Sequence, residues 1–114
     1  MALTVAGRHN IVVDQGADWG PLPVAYQQDG ANNSVLSSPA AEIRSASGQL
    51  LATFTATYDS PTKEIRLYLD DAVTASLPVG RHHWDVFATV TATGEKLRLL
   101  AGTCDVRERV TGRG

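Results

Sequence analysis

The chain has 114 residues, 43% of them hydrophobic and 19% charged, enough for one core and too short for a second. Ten basic against twelve acidic side chains leave a formal net charge of −2, which argues against a dedicated nucleic-acid binder and does not favour a membrane-surface protein. The one cysteine, Cys104, excludes an intramolecular disulfide and any multi-cysteine metal site.

Residues 1–8 read as an N-terminal arm. They open MALTVAGRHN, without a long apolar stretch, so no signal peptide is expected. No apolar run approaches the roughly 20 residues that a bilayer crossing needs. Strands are expected over Asn10–Val13 and Leu22–Gln27. Gln28–Ala40 is the longest stretch without strand character and reads as a loop. Ala41–Arg44 follows as a strand. Leu51–Tyr58 (LATFTATY), rich in threonine and aromatics, reads as one strand. Ile65–Asp70 alternates apolar and polar, as a strand with one buried face does. Asp71–Leu77 is the only helix candidate; it has no wide apolar stripe and Pro78 and Gly80 end it, so one or two turns is its limit. His82–Thr91 alternates again, with Trp84, Val86, Ala88 and Val90 on one face and His83, Asp85, Phe87 and Thr89 on the other. Leu97–Arg107 is the last strand, and the shift of its apolar register at Leu99-Leu100 predicts a bulge. Residues 108–114 read as a C-terminal arm.

Turn chemistry falls between these runs, at Asp29-Gly30, Asn32-Asn33, Ser47-Gly48, Asp59-Ser60-Pro61 and Thr93-Gly94. The pattern predicts an all-β chain: an immunoglobulin-like antiparallel β-sandwich of about seven strands with one short helical turn, over residues 9–107.

Motifs for chemistry are sparse. The chain has no G-x-S-x-G elbow, no phosphate-binding glycine loop and no H-E-x-x-H pair. Asp70 and Asp71 are adjacent and read as a turn that leads into the short helix. His83 and Asp85 share a strand face but supply two ligands where zinc takes three or four, so no catalytic residue, metal or cofactor is expected. His82 is expected half-buried at the start of its strand, with His83 facing solvent. Cys104 falls on an apolar face and reads as a small buried hydrophobe. Trp19, Trp84 and Tyr26 read as core, whereas Tyr68 and Phe87 fall outward and are interface candidates. Arg107, Arg109 and Arg113 are further candidates, because arginine suits interfaces.

Several segments resemble small immunoglobulin-like domains of tailed-phage virion proteins, including the N-terminal domains of baseplate upper proteins and accessory head or tail subunits. They are Ile11–Trp19 (IVVDQGADW), Ile43-Arg44-Ser45, Ile65–Leu69, Thr74–Gly80 followed by Trp84-Asp85-Val86, and Gly102–Val106 followed by Glu108–Thr111. The resemblance implies a non-enzymatic structural component of a phage particle, made in the host cytoplasm and located in the virion. Its partners would be other virion proteins, capsid or tail subunits, in a symmetric homo-oligomer, with no nucleic acid and no membrane. The alternative reading is a carbohydrate-binding module that helps the particle adhere to a host glycan through Phe87, Tyr68 or the loop Gln28–Ala40.

Overall fold

The computed structural model describes residues 7–26 and 34–109. Among these, nine strands and one helix follow in order: β1 (Gly7–Arg8), β2 (Ile11–Asp14), β3 (Trp19–Val24), β4 (Leu36–Arg44), β5 (Leu50–Thr53), β6 (Thr55–Asp59), β7 (Glu64–Leu69), α1 (Asp71–Ala75), β8 (Gly80–Val90) and β9 (Glu95–Arg107). They form two sheets. The larger is ordered β1-β9-β8-β4-β5 with β2 also on β9, and the smaller is β3-β7-β6. This is the two-sheet immunoglobulin-like sandwich that the alternating pattern predicts, with nine described strands where about seven antiparallel ones are expected.

The core lies where the apolar alternates of both sheets meet. Val13, Ile43, Val86 and Cys104 of the larger sheet and Ile65 and Leu67 of the smaller are fully buried. Two aromatic contacts tie the sheets together. Phe54 stands 5.7 Å from Trp84 and 5.5 Å from Trp19, ring centre to ring centre. Trp84 is buried, as expected, while Trp19 and Tyr26 are half-buried against the core.

Several expectations change. The stretch Leu51–Tyr58 is not one strand. The chain leaves the larger sheet after Thr53 and enters the smaller at Thr55, and buried Phe54 fills the crossing while its N–H donates to the Ala41 carbonyl at 3.0 Å. The alternation of threonines and apolar residues runs on through the crossing, so the local pattern does not mark it.

The loop assigned to Gln28–Ala40 is shorter at its C-terminal end, because β4 starts at Leu36, which is buried opposite Val90. Its alternation was hidden by a bulge between Ser37 and Ala40, where Ser38 takes a φ of 50° and Pro39 follows. Residues 28–33 of that segment, with the turns at Asp29-Gly30 and Asn32-Asn33, lie outside the described residues, as does Gln27 at the end of the strand expected over Leu22–Gln27.

The N-terminal arm is also shorter than expected where it is described, whereas the last strand ends at Arg107 as predicted. Gly7 and Arg8 pair with Leu100 and Ala101, so the edge strand begins inside the predicted arm. Both β1 and β2 run parallel to β9, whereas the other described pairs are antiparallel. Between them the chain kinks at His9 and Asn10, and the Asn10 side chain takes the place of a backbone acceptor by receiving the Thr103 N–H at 3.0 Å. The His9 carbonyl leans over Gly102, where any Cβ would collide with it, and it accepts the Trp84 indole N–H at 2.8 Å.

At the other end Arg109 folds back on the β2–β3 turn, its guanidinium against Gly16.

α1 has the expected length. Asp70 caps it by accepting the Val73 N–H at 2.9 Å, which confirms the turn reading of Asp70 and Asp71. Thr74, wholly buried, fastens the helix to the β2–β3 turn: its hydroxyl donates to the Ala17 carbonyl at 2.9 Å and accepts the Gly16 N–H at 3.1 Å. The bulge predicted at Leu99-Leu100 is present, as a register shift of β9 against the Val86–Phe87 step of β8.

Candidate functional site

Alternation along β8 puts Trp84, Val86, Ala88 and Val90 into the core and turns His83, Asp85 and Phe87 outward, as the sequence predicts. Strand pairing then brings long polar side chains from three other strands beside them. Glu42 lies opposite Asp85 and Arg44 opposite His83 on β4, while on β9 Arg98 lies opposite Phe87 and Ala101 opposite Asp85. Arg8 on β1 lies beside Ala101. Residues directly opposite one another stand about 5 Å apart at Cβ, so these side chains share one patch.

The patch is concave because Ala101 is small and its neighbours are long. A hollow of about 320 Å³ is bounded by Arg8, Glu42, Arg44, His83, Asp85 and Arg98. A second, of about 370 Å³, is bounded by Ser38, Ala40, Phe87 and Lys96 and shares Glu42, Arg44 and Asp85 with the first.

Charge is unevenly satisfied here. Glu42 holds Arg44 through two contacts, at 3.0 and 2.7 Å, and the Gly48 carbonyl accepts a third at 2.9 Å, so Arg44 is fixed and neutralised. Arg8, Arg98 and Lys96 have no carboxylate within ion-pair distance among the described residues. Asp85 is half-buried, and burial raises its carboxyl above the ordinary value; Arg98 and Arg44 pull it back down and Glu42 pushes it up. Four cations thus face two carboxylates, on a chain whose formal charge is −2.

The interface candidates do not converge. Phe87 is on the outer face of the larger sheet, at 36% exposure. Tyr68 belongs to β7 and faces outward from the smaller sheet, on the opposite side of the sandwich, so the two rings cannot form one platform. Partial burial, a hydrogen bond to Asp18 and the charges of Asp70 and Asp71 push the Tyr68 phenol up. Arg107 is taken up within the chain: its guanidinium donates to both oxygens of Asp14, at 2.7 and 3.1 Å, and holds that carboxyl below its usual value. Arg109 lies against Gly16, and Arg113 lies outside the described residues.

His82 is half-buried, with its ring Nε2 at 2.8 Å from the Pro78 carbonyl, and His83 is exposed, as expected. Cys104 is fully buried, and burial together with Asp105 pushes its thiol up to about 12. A thiol in that state is no nucleophile at neutral pH. Among the described residues no three His, Cys, Asp or Glu side chains gather as metal ligands, and no described helix is long and apolar enough to cross a membrane.

Sequence reasoning singled out Phe87 and set His83 and Asp85 aside as too few for a metal. It missed Arg8, Glu42, Arg44 and Arg98, which join them only through strand pairing. The one local signal was Glu42 and Arg44 alternating with Ala41 and Ile43, which marks an outward polar row.

No family model matches the chain, and no curated protein matches it. Among solved structures it is similar to CopC from Methylosinus trichosporium OB3b, with a TM-score of 0.48 and 17% identity over 86% of this chain and 87% of that one. A likeness that distant carries no argument about activity. It does not lead to a phage protein, and no family or curated match ties the chain to a virion. The expectation of a tailed-phage structural component is therefore withdrawn, and the glycan-adhesion alternative, tied to the same particle, goes with it.

Proposed function

We propose that this is a non-catalytic binding domain, and that the outer face of the larger sheet recognises an acidic segment of a partner protein. The observation that carries the reading is the pairing state of the hollow around Ala101: Arg44 is already neutralised by Glu42, whereas Arg8 and Arg98 reach the same space with no carboxylate of their own among the described residues. Guanidinium groups in that position suit the planar, bidentate geometry of a carboxylate. The rest of the molecule is net negative and turns an acidic partner away, so the field favours docking on this face alone. No reaction is assigned to the domain, because its buried thiol is inert and the one raised carboxylate among the described residues, Asp85, faces cations rather than a nucleophile.

The test is a ¹⁵N-edited NMR titration with a hexaglutamate peptide. The expected result is amide shifts confined to β1, β4, β8 and β9, weakened by added salt and abolished by Arg98→Glu. An unperturbed spectrum, or shifts that survive Arg98→Glu, would overturn the reading.

A further inference from the structure

We infer that the two hollows are one composite site, shaped for a carboxylate joined to an apolar group, with the carboxylate held by Arg8 and Arg98 and the apolar group lying on Phe87 and Ala40. The inference rests on the reading that this face binds an anion, and adds the identity and order of the groups it takes.

The hollows are continuous because they share Glu42, Arg44 and Asp85. The strand register sets their spacing. One row across the sheet runs Ala40, Phe87, Arg98; the next runs Glu42, Asp85, Ala101, Arg8. Rows of outward residues on a strand repeat every ~7 Å and opposite residues stand ~5 Å apart, so a cationic end and an apolar end lie about one residue length from each other. Phe87 is an exposed large hydrophobic residue beside Ala40, itself exposed, and the pair offers a ring and a methyl to a ligand. The carboxylates of the site set the charge of the ligand. Asp85 and Glu42 stand in the row next to Phe87 and Ala40, with Asp85 opposite Ala101, and Asp85 is already disfavoured as an anion by burial. A phosphate, with nearly two negative charges, meets these carboxylates at close range, whereas a single carboxylate reaches the arginines at lower cost. In a protein partner the matching feature is an acidic residue next to an aromatic or aliphatic one in an extended segment.

The same NMR titration, run with four small probes, tests this. 3-Phenylpropionate is expected to move the amides of Phe87 and Ala40 together with those of Ala101 and Gly102. It should bind about tenfold more tightly than acetate, which lacks the ring, and than 3-phenylpropanol and phenyl phosphate, which lack the single carboxylate. Phe87→Ala removes the gain over acetate, Phe87→Leu restores most of it, and Arg98→Ala removes the preference over the alcohol. All three replace exposed outer-face side chains, and retained spectral dispersion verifies the fold. Equal binding of acetate and 3-phenylpropionate, or binding of the alcohol or the phosphate as tight as that of the acid, overturns the composite site. Hexaglutamate binding without any gain from the ring overturns this inference alone; silence from both hexaglutamate and 3-phenylpropionate overturns the anion reading as well.

Discussion

Cys104 illustrates how one residue's environment decides its chemistry. It pairs with His82 across the sheet, on the face that turns inward, and is fully buried there while His82 at the strand's start is only half-buried. Burial there, reinforced by Asp105, raises the thiol to about 12, so at pH 8 roughly one part in ten thousand is thiolate. Iodoacetamide at pH 8 is therefore expected to leave Cys104 unmodified in the folded protein and to label it once urea unfolds the chain, as read by intact mass. Rapid labelling of the folded protein would mean that the core opens far more readily than its packing suggests. Gly102 and Trp84 act together in the same region. The missing side chain of Gly102 admits the His9 carbonyl, and the Trp84 indole satisfies it. A glycine at that position is a packing requirement that no turn pattern announces.

At the scale of elements, α1 is too short to stand alone and is held by its two ends and by Thr74. Replacing Thr74 by valine keeps the shape and removes the hydroxyl, which leaves the Gly16 N–H and the Ala17 carbonyl without that partner. The expected cost is about 2 kcal/mol in urea unfolding, with the sandwich fold retained. A neutral result would show that water replaces the hydroxyl in that joint. The strands differ in how far they could be read locally. β7 and β8 were legible because each has one face in the core and alternates without interruption. β5 and β6 merged in the reading because Phe54, the residue that carries the chain from one sheet to the other, keeps the alternation of its neighbours. The first half of β4 was lost because a bulge breaks the period of two, and a bulge without a glycine leaves little trace in composition.

For the whole molecule, the titration of Asp85 links stability to the candidate site. Its folded-state value is raised, so ionising it disfavours the folded state. The penalty is absent below the unfolded-state value, grows as pH rises through the interval up to the folded-state value, and is complete above it. Asp85→Asn is therefore expected to stabilise the protein at neutral pH and to leave it unchanged in acid, as read by thermal unfolding across that range. The same substitution should tighten binding of hexaglutamate, because it removes a negative charge from the floor of the site. Asp14 has the opposite sign: Arg107 lowers its value, so the stability it contributes is present above the unfolded-state value and is lost as pH falls through the folded-state one. Loss of stability at neutral pH in Asp85→Asn would show that the carboxylate is a structural partner of Arg98 and not a buried cost.

Composition and alternation by themselves determined the class of the protein. A period of two in run after run, punctuated by turn residues, can bury its apolar side only by laying one sheet against another, and that conclusion needs no knowledge of which strand neighbours which. The burial of Trp84 and Cys104 and the outward placement of His83, Asp85 and Phe87 follow from the same rule, because a strand's two faces are written in its own sequence. The candidate site was decided by the tertiary structure alone. Arg8, Glu42, Asp85 and Arg98 come from four strands spread along the chain, and only the order β1-β9-β8-β4 sets them side by side. The physical reason is that alternation encodes the face on which a residue stands, while the neighbour across the sheet is chosen by long-range pairing, which leaves no local periodicity to read.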